Sequence, residues 1–447
     1  MTQAPRAVNI VGAGLAGALL ALLLARRGLR VALFERRADP RQAQPERGRS
    51  INLALAARGL RALQRAGVLA QVQPLLIPMR GRMVHERSGR AALQPYGQRE
   101  HEVIYSVGRA DLNRVLIDAA ARHGGVSVRF GQTCLGADSA ASRLRFRGEG
   151  GEYSVPLAPT LATDGAGSAV RASLAAAGLV KVREEWLDHD YKELSISPAA
   201  GAALERHALH IWPRGGFMLI ALPNTDDSFT ATLFLPRSGA PSFATLHGAA
   251  AVTEFFGREF PDTLALLPDL AAQFAAHPQG QLGTVHTTPW HHGGEVLLLG
   301  DAAHAIVPFH GQGMNAAFED CTQLDELLES HGADWAAAFA ALEAARAPNA
   351  AAIARMALEN YAEMRAAVLD EGFVRRRTLA LELERRFPER FIPRYSMVMF
   401  HPEIPYAEAL RRGAVQEQLL RELDAGPGAQ PDGARAAELV TTRLAPL

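Results

Sequence analysis

The N-terminal glycine motif constrains the fold more than any other feature of this sequence. Ala7–Val11 is a short apolar run that leads directly into Gly12–Gly17, where the residues GAGLAG complete a GxGxxG pattern. Residues 18–27 have the length and composition of a helix, residues 30–34 form a second apolar run, and Glu35 follows it. This order predicts a strand, a tight turn, a helix and a second strand.

Each residue of the motif has a physical task. Gly12 makes the tight turn, Gly14 lets the backbone approach a pyrophosphate, and Gly17 lets the helix pack closely on the strand. The helix N-terminus then faces the phosphates, and the carboxylate of Glu35, 18 residues after Gly17, accepts hydrogen bonds from an adenosine ribose. The motif predicts a dinucleotide site but does not by itself distinguish FAD from NAD.

The apolar stretch from Val8 to Ala25 superficially resembles a signal peptide or a short membrane span. Its three glycines interrupt it, Arg26 and Arg27 follow directly, and no A-x-A-like cleavage site comes after them. We therefore interpret it as a buried strand, turn and helix. No other run in the sequence approaches the roughly 18 apolar residues that a spanning helix needs, so we expect no membrane anchor.

The composition favours a cytoplasmic enzyme of ordinary globular type. The 447 residues include 47 Lys and Arg against 47 Asp and Glu, and this zero net charge argues against nucleic-acid binding, which needs a basic excess. Two cysteines, Cys134 and Cys321, form neither a disulfide framework nor a Cys-rich zinc site. We expect no metal site. The GxSxG, HExxH and CxxC motifs are missing from the sequence, so hydrolase and zinc chemistry lack their minimal motifs.

Two further motifs follow apolar runs later in the chain. Val296–Leu299 reads as a strand buried on both faces, and Asp301 follows it in a Gly-Asp pair that can accept a ribityl or ribose hydroxyl. Gly311–Asn315 then opens a predicted helix to about Leu328, whose N-terminus would stabilise a reduced flavin anion. Asp164 begins an Asp-Gly pair after another strand-like run.

GxGxxG with its glutamate, then Asp-Gly, then Gly-Asp, in this order, resembles the group A flavoprotein monooxygenases, the para-hydroxybenzoate hydroxylase-like family. The resemblance implies an α/β fold: a Rossmann-like FAD-binding domain, a substrate domain with a mixed or antiparallel β-sheet, and a helical C-terminal region. It implies tightly bound, non-covalent FAD, with NADPH as a co-substrate that has no Rossmann domain of its own. One departure is Ala162-Thr163, where the family more usually has Gly-Ala before the Asp-Gly pair.

Further blocks resemble the branch of this family that hydroxylates kynurenine. The similarity extends from about residue 7 to about residue 420. The blocks are Arg47–Leu55, Ile77–His85, His210–Arg214, Pro308–Asn315, Asn360–Arg365 and Phe391–Val398.

This resemblance implies a set of substrate contacts suited to a free amino acid. Arg82 offers a planar fork of donors to an α-carboxylate, and Tyr96 and Tyr395 offer hydroxyls to the same group. Asn360 can donate and accept near the amino acid head or the aniline end. Three more residues are expected between flavin and substrate: Phe309, His310 and Gln312.

The implied cofactor contacts are spread along the chain. They are Gly12, Gly14, Gly17, Glu35, Ala54, Arg109, Leu135, Asp164, Asp301, Met314 and Asn315. The implied reaction converts L-kynurenine, NADPH and O2 to 3-hydroxykynurenine through a C4a-hydroperoxyflavin, in tryptophan and kynurenine metabolism. The aniline nitrogen already donates electrons into the ring, so we expect no acid–base catalytic residue.

Three other functions stay open at this point. A group A FAD monooxygenase for another aromatic acid would share the FAD motifs but lack the blocks around Asn360 and Tyr395. A reductase or oxidase would consume NADPH or substrate without placing oxygen in an aromatic ring. A flavin-binding interaction protein would bind FAD without substrate-stimulated NADPH oxidation.

The motifs predict a discontinuous arrangement of domains. We expect the FAD domain in residues 1–80, 101–180 and 285–325, and the substrate sheet in residues 81–100 and 181–284. A helical region would occupy residues 326–424, with a disordered, Gly- and Pro-rich tail at 425–447. Within the sheet, Ala208–Trp212, Phe217–Leu222 and Phe229–Leu235 alternate as antiparallel strands do, and Arg375–Arg377 reads as the solvated face of a helix.

Overall fold

A computed structural model describes residues 7–42, 52–366, 370–424, 426 and 432–447. The first block of the kynurenine-branch resemblance therefore lies partly outside the described residues, at positions 47–51. The chain divides into two compact units. Unit 1 comprises Met1–Leu76, Val107–Trp186 and Gly283–Ala354, and unit 2 comprises Ile77–Ser106, Leu187–Leu282 and Arg355–Leu447.

The β-strands of the described residues run from β1 to β19 in chain order. They are β1 (Ala7–Val11), β2 (Arg30–Phe34), β3 (Asn52–Leu55), β4 (Ile77–Met79), β5 (Gly81–His85), β6 (Ala91–Pro95), β7 (Ile104–Gly108), β8 (Val126–Arg129), β9 (Thr133–Asp138), β10 (Arg143–Gly148), β11 (Gly151–Pro156), β12 (Thr160–Ala162), β13 (Lys181–Ile196), β14 (Ala208–Pro213), β15 (Met218–Pro223), β16 (Phe229–Pro236), β17 (Gln279–Thr288), β18 (His291–His292) and β19 (Val296–Leu298).

The α-helices of the described residues run from α1 to α15 in chain order. They are α1 (Leu15–Arg26), α2 (Ala57–Arg65), α3 (Leu69–Val72), α4 (Arg109–Arg122), α5 (Ala169–Ala176), α6 (Pro198–Gly201), α7 (Gly248–Glu259), α8 (Leu270–Ala276), α9 (Asp301–His304), α10 (Gly313–His331), α11 (Trp335–Arg365), α12 (Glu371–Arg386), α13 (Arg394–Phe400), α14 (Tyr406–Leu423) and α15 (Gly433–Arg443). Short 3-10 helices lie at Gln73–Leu75, Phe243–Thr245, Pro261–Thr263 and Pro308–His310.

Unit 1 is built on a six-stranded sheet in the order β18-β19-β12-β1-β2-β8. All neighbouring pairs from β19 to β8 are parallel, and only the edge strand β18 is antiparallel. Val8, Ile10, Leu161 and Leu297 are fully buried, which explains why the strands read as continuous apolar runs rather than alternating ones. The predicted strand–turn–helix–strand order at the N-terminus is confirmed by β1, α1 and β2.

Unit 2 contains most of a seven-stranded sheet in the order β17-β13-β16-β15-β14-β5-β6. The three predicted antiparallel strands are confirmed as β14, β15 and β16, which pair with one another in that order. β5 joins the sheet parallel to β14, and β6 returns antiparallel to β5. Phe255, Phe256 and Phe260 pack on this sheet with Trp212 in one buried core, so aromatic side chains supply much of its apolar area.

The predicted disordered tail is wrong for the part that the structure describes. Residues 433–443 form α15, whose Asp432 side chain accepts from the backbone N–H groups of Ala434 and Arg435 as an N-cap. Leu439 and Val440 are buried in one core with side chains of α12 and α14. The average composition of residues 425–447 did not indicate this helix, because the Gly- and Pro-rich segment before it dominates that average.

The two units follow the predicted order of segments but differ from the predicted boundaries. The predicted substrate sheet lies mostly in unit 2, together with the helices after residue 354, whereas residues 326–354 belong to unit 1. Among the helices that the structure describes, none has both the length and the apolar composition for crossing a membrane.

Candidate active site

The four predicted cofactor motifs of unit 1 meet at one edge of its sheet. Gly12 follows β1, Glu35 follows β2, Asp164 lies just after β12, and Asp301 lies just after β19. The register places the last residues of these strands opposite one another, because Val11 is paired with both Phe34 and Ala162. The carboxyl edge of a parallel sheet is where such folds bind nucleotides.

The glycine turn has the geometry that its sequence predicts. Gly12 has φ of +95°, and a Cβ on it would lie 2.6 Å from the carbonyl oxygen of Thr163. A Cβ on Gly17 would lie 1.9 Å from the carbonyl oxygen of Gly12, so α1 approaches the turn too closely for any side chain there. A Cβ on Gly14 would meet open space, which leaves the backbone at that position accessible to a ligand.

Thr163 explains the departure from the usual Gly-Ala before the Asp-Gly pair. Its hydroxyl oxygen lies 3.0 Å from the carbonyl oxygen of Val11 and 2.9 Å from that of Gly12, and can donate to either. Its backbone N–H also donates to Val11. The substituted residue therefore ties β12 to the glycine turn and leaves the motif's geometry in place.

Glu35 already organises the same turn from the neighbouring strand. Its Oε2 accepts from the backbone N–H of Ala13 at 2.8 Å, and its Oε1 accepts from that of Arg37 at 2.9 Å. Each carboxylate oxygen has two acceptor positions, so these bonds leave capacity for hydroxyls of a ribose.

The two aspartates differ in their surroundings. Asp164 is half-buried, and this burial raises its pKa. Its carboxylate accepts from the backbone N–H of Val170 at 3.3 Å, while no donor in the described part of the chain contacts its Oδ1. Asp301 is exposed, and its Oδ1 lies 4.0 Å from the position that a Cβ on Gly313 would take. This set of acceptors, beside a glycine turn and two helix N-termini, fits a flavin adenine dinucleotide.

Asn315 fixes the start of α10. Its Nδ2 donates to the carbonyl oxygens of Ala54 and Gly311 at 2.9 Å each, and its Oδ1 accepts from the N–H of Ala56 at 3.0 Å. The amide group is engaged within the protein. A contact from Asn315 to a cofactor would therefore come from its backbone rather than from its side chain. Ala54, also predicted as a cofactor contact, is joined to it directly.

The remaining predicted residues of unit 1 have varied surroundings. Arg109 is the exposed first residue of α4, as the sequence predicts for a helix start, and Leu135 lies half-buried in β9. Met314 is half-buried in the first turn of α10. Their contacts with a cofactor stay predictions. The same holds for the expected contacts of three residues that are buried at or just before the start of α10: Phe309, His310 and Gln312.

The four predicted substrate residues come together in unit 2. Arg82 lies on β5, Asn360 on α11 and Tyr395 on α13, while Tyr96 follows β6. Arg82 Nη2 donates to Asn360 Oδ1 at 3.2 Å. The rings of Tyr96 and Tyr395 stack with centroids 5.4 Å apart, and the Arg82 guanidinium lies 5.9 Å and 5.0 Å from the two centroids.

Arg82 also has an anionic partner that the sequence reasoning missed. Its Nη1 donates to Glu363 Oε1 at 2.8 Å. Asn360 and Glu363 are three residues apart, so they lie on one face of α11. That spacing is the signal that could have identified Glu363, because it falls within the Asn360–Arg365 block.

Arg377 is a second missed residue, and the interpretation of Arg375–Arg377 as a solvated face is wrong at this position. Its guanidinium donates to the side chain of Gln94 at 2.9 Å and to the carbonyl oxygen of Pro95. Burial lowers its pKa, and repulsion from Arg82 acts in the same direction. No pattern in the sequence distinguished it from its neighbours, since its direction depends on how α12 packs.

Within the cluster defined by Arg82, Tyr96, Asn360, Glu363 and Tyr395, burial and neighbouring groups shift the pKa of the arginine and of both tyrosines. Burial would lower the pKa of Arg82, but Tyr395, Glu363 and Tyr96 together raise it above its ordinary value. Burial raises the pKa of both tyrosines, with Arg82 opposing the shift. At neutral pH the cluster therefore contains a guanidinium and two phenol donors.

The sheet edge, its four motifs and the helix N-termini define the class: a flavoprotein with a dinucleotide site. In agreement, residues 6–357 match the family described as FAD binding domain. FAD is the cofactor that this family and the site imply.

Comparison with curated proteins is more specific. The kynurenine 3-monooxygenase of Stenotrophomonas maltophilia (strain K279a) is 50% identical over 425 residues, covering 94% of this chain and 92% of the relative. The kynurenine 3-monooxygenase of Xanthomonas campestris pv. campestris (strain 8004) is 48% identical over 449 residues, covering 99% and 98%. The chain therefore belongs to the kynurenine 3-monooxygenase family of FAD-binding proteins, and the predicted resemblance is confirmed.

Solved structures show the same fold at low sequence identity. The tetrameric form of 2-methyl-3-hydroxypyridine-5-carboxylic acid oxygenase has a TM-score of 0.66 and 21% identity, covering 81% of this chain and 93% of that one. PqsL of Pseudomonas aeruginosa, described as a probable FAD-dependent monooxygenase, has a TM-score of 0.66 and 20% identity, covering 83% and 100%. The predicted α/β hydroxylase fold with a helical C-terminal region is confirmed.

Proposed function

We propose that the protein hydroxylates L-kynurenine to 3-hydroxykynurenine, with NADPH and O2 as co-substrates. The family supports the reaction class, and the observation that carries the substrate assignment is the ion pair between buried Arg82 and half-buried Glu363, at 2.8 Å. A free α-amino acid brings one negative and one positive group. A pocket for it must therefore supply both signs of charge.

The pair can bind a zwitterion by exchanging partners. The α-carboxylate takes the fork of donors on Arg82, and the α-ammonium takes the carboxylate of Glu363. Neither charge is left uncompensated, whereas an aromatic acid without an amino group would occupy Arg82 and leave the half-buried Glu363 unpaired. A carboxylate that is partly removed from water is less stable without a charged partner, so this arrangement discriminates against simple aromatic acids.

The two tyrosines orient the carboxylate. Because burial raises the pKa of both hydroxyls, they stay protonated and act as donors. Their stacked rings also give Arg82 two faces against which to pack, which restricts the guanidinium to few orientations. Fixing the amino acid head in this way sets where the aromatic end of the substrate lies.

The chemical demand on the protein is positioning. FAD at the carboxyl edge of the unit 1 sheet would supply the oxygen-transfer chemistry, with NADPH as the reductant and O2 as the oxygen source. The aniline nitrogen of kynurenine donates electrons to the carbon that is hydroxylated, so no residue needs to remove a proton from the substrate first. The protein's part is to hold the substrate, exclude water and keep the amino acid head neutralised.

The decisive experiment adds L-kynurenine and NADPH to the purified holoenzyme in air. We expect substrate-stimulated NADPH oxidation and formation of 3-hydroxykynurenine, detected by mass spectrometry. NADPH oxidation that yields only hydrogen peroxide would contradict the proposal and favour another aromatic substrate. FAD content, measured on the same sample, separates a wrong substrate from a poorly loaded enzyme.

Two substrate analogues test the partner exchange. The decarboxylated amine of kynurenine lacks the group assigned to Arg82, and the acid that lacks the α-amino group lacks the one assigned to Glu363. Glu363→Gln should weaken kynurenine binding about ten- to hundredfold. The ratio of the affinity for kynurenine to the affinity for the deaminated acid should also become smaller. An unchanged preference would remove Glu363 from the proposed site.

A further inference from the structure

A buried carboxylate outside the predicted cofactor set contacts the segment that carries Asp301. Asp320 lies on α10 and has no exposed surface. Its Oδ2 accepts from the backbone N–H of Gly300 at 3.2 Å and lies 2.6 Å from His304 Nε2. Its Oδ1 accepts from Arg346 Nε at 2.7 Å.

The two contacts of Oδ2 lie at opposite ends of one short segment. Gly300 is the N-cap of α9, with φ of +54° and ψ of −135°, and His304 is the last residue of that helix. A Cβ on Gly300 would lie 2.9 Å from the Cβ of Ala317, so α10 also packs closely against the turn. A single carboxylate oxygen thus holds both ends of the helical turn that Asp301 begins.

Asp320 stays a negatively charged carboxylate in its buried position. Burial would raise its pKa, but His304 and Arg346 lower it to about 2. Arg346 in turn donates to Glu319 at 3.0 Å, and Arg58 donates to the other oxygen of Glu319 at 2.5 Å. Two guanidinium groups therefore balance two carboxylates in this buried network, which satisfies the condition under which ionic groups are tolerated in a core.

We propose that Asp320 is a positioning residue of the FAD site. It fixes the Gly300–His304 turn against α10, and so sets the carboxylate of Asp301 relative to Gly313, where the helix begins. Asp301 Oδ1 lies 4.0 Å from the position of a Cβ on Gly313. A small displacement of the turn would therefore change the distance between these two groups, both of which a flavin would meet. The inference depends on FAD binding at this sheet edge and is independent of the identity of the aromatic substrate.

The test compares two substitutions on the same helix. Asp320→Asn keeps the side-chain shape but replaces one acceptor oxygen by an NH2 group, which cannot accept from the donors that surround it. We expect the dissociation constant of FAD, measured by flavin fluorescence on dilution of the holoenzyme, to rise about ten- to hundredfold. Amide hydrogen exchange of residues 300–304 should become faster than in the wild type.

Asp325→Asn is the matched control. Asp325 is also buried on α10, but its partners are Arg65 at 2.6 Å and Arg27, away from the turn. This variant should lose stability to unfolding while its FAD dissociation constant stays within about twofold of the wild type, since additivity holds for separate sites.

An unchanged FAD dissociation constant in Asp320→Asn, together with loss of stability equal to that of the control, would overturn the proposal. If Asp320→Asn does not fold, His304→Phe carries the test, because it keeps a ring beside Trp290 and removes only the Nε2 contact. Weaker FAD binding in that variant supports the positioning role, and unchanged binding refutes it.

Discussion

Arg82 combines features that rarely occur in one side chain. It is buried, ion-paired with Glu363, hydrogen-bonded to Asn360 and packed against two tyrosine rings. A buried guanidinium with so many partners is costly to assemble, because Arg82 leaves water almost entirely and Glu363 leaves it in part. The arrangement is readily understood if a substrate carboxylate completes it.

Arg82→Met should therefore weaken kynurenine binding by about 1.5–3 kcal/mol, the usual contribution of a hydrogen bond to a charged group. The measurement is the dissociation constant from substrate-induced changes in the flavin absorption spectrum. Arg80→Met, at an exposed position two residues earlier, is the control and should bind the substrate normally. Equal dissociation constants for the Arg82 variant and the wild type would exclude Arg82 from the site.

The adjacent strands β5 and β14 are joined by two histidines, the buried His210 and the half-buried His85. His210 Nε2 lies 2.8 Å from the carbonyl oxygen of Glu205 and must donate to it, so His210 Nδ1 is the acceptor. His85 Nε2, 2.8 Å away, then donates to that nitrogen. Burial is the main cause that lowers the pKa of His85 to about 4; repulsion from His210 and Arg214 adds to it and Asp262 opposes it.

This pair predicts a loss of stability on acidification. The unfolded chain takes up a proton on His85 near its ordinary pKa of about 6.5, whereas the folded chain does so only near 4. The unfolded state therefore binds more protons between these values, and the free energy of unfolding should fall as the pH is lowered from about 6.5 to about 4. Burial also lowers the pKa of His210, which acts in the same direction.

Urea unfolding at several pH values measures this effect. His85→Gln should reduce the slope of the free energy of unfolding against pH in that range. His247→Gln, at an exposed position, is the control and should leave the slope in place. The same slope in wild type and His85→Gln would mean that other groups cause the acid sensitivity.

The C-terminal helix α15 makes a separate prediction about packing. Leu439 is 3% exposed within the core that α15 shares with α12 and α14, so Leu439→Ala should lower the free energy of unfolding by about 2–5 kcal/mol. Glu438→Ala, on the exposed face of the same helix, should change it by about 0.5 kcal/mol at most. Chemical denaturation distinguishes the two, and equal stabilities would show that the helix contributes nothing to the fold.

For the whole molecule, cofactor binding and folding are thermodynamically linked. The predicted FAD contacts follow four separate strands, and they do not come together in the unfolded chain. Each tenfold increase of free FAD above its dissociation constant should therefore stabilise the protein by about 1.4 kcal/mol. The midpoint of thermal unfolding, followed over a range of FAD concentrations, should rise accordingly.

FMN is the control ligand for this linkage. It lacks the adenosine that Glu35 is expected to bind, so it should stabilise the protein less than FAD at equal concentration. A midpoint that does not depend on FAD, or that responds equally to FMN, would contradict the assignment of the sheet edge as a dinucleotide site.

Short-range sequence patterns were enough to predict the elements of unit 1 that surround the dinucleotide site. The glycine turn, the two buried strands beside it and the N-terminus of α10 each depend on residues close together in the chain, and steric limits on the backbone leave few alternatives for them. Resemblance then predicted that Arg82 and Asn360 both contact the substrate, and the structure brings the two side chains together although 278 positions separate them.

The charges of Arg377 and Asp320 could not be predicted in the same way. Both are ordinary helical residues in the sequence, where a charge is usually solvated. Whether such a side chain meets water or a buried partner depends on the rotation of its helix and on the elements packed against it. Those are set by the folding of the entire chain, and they decide which charges belong to a site.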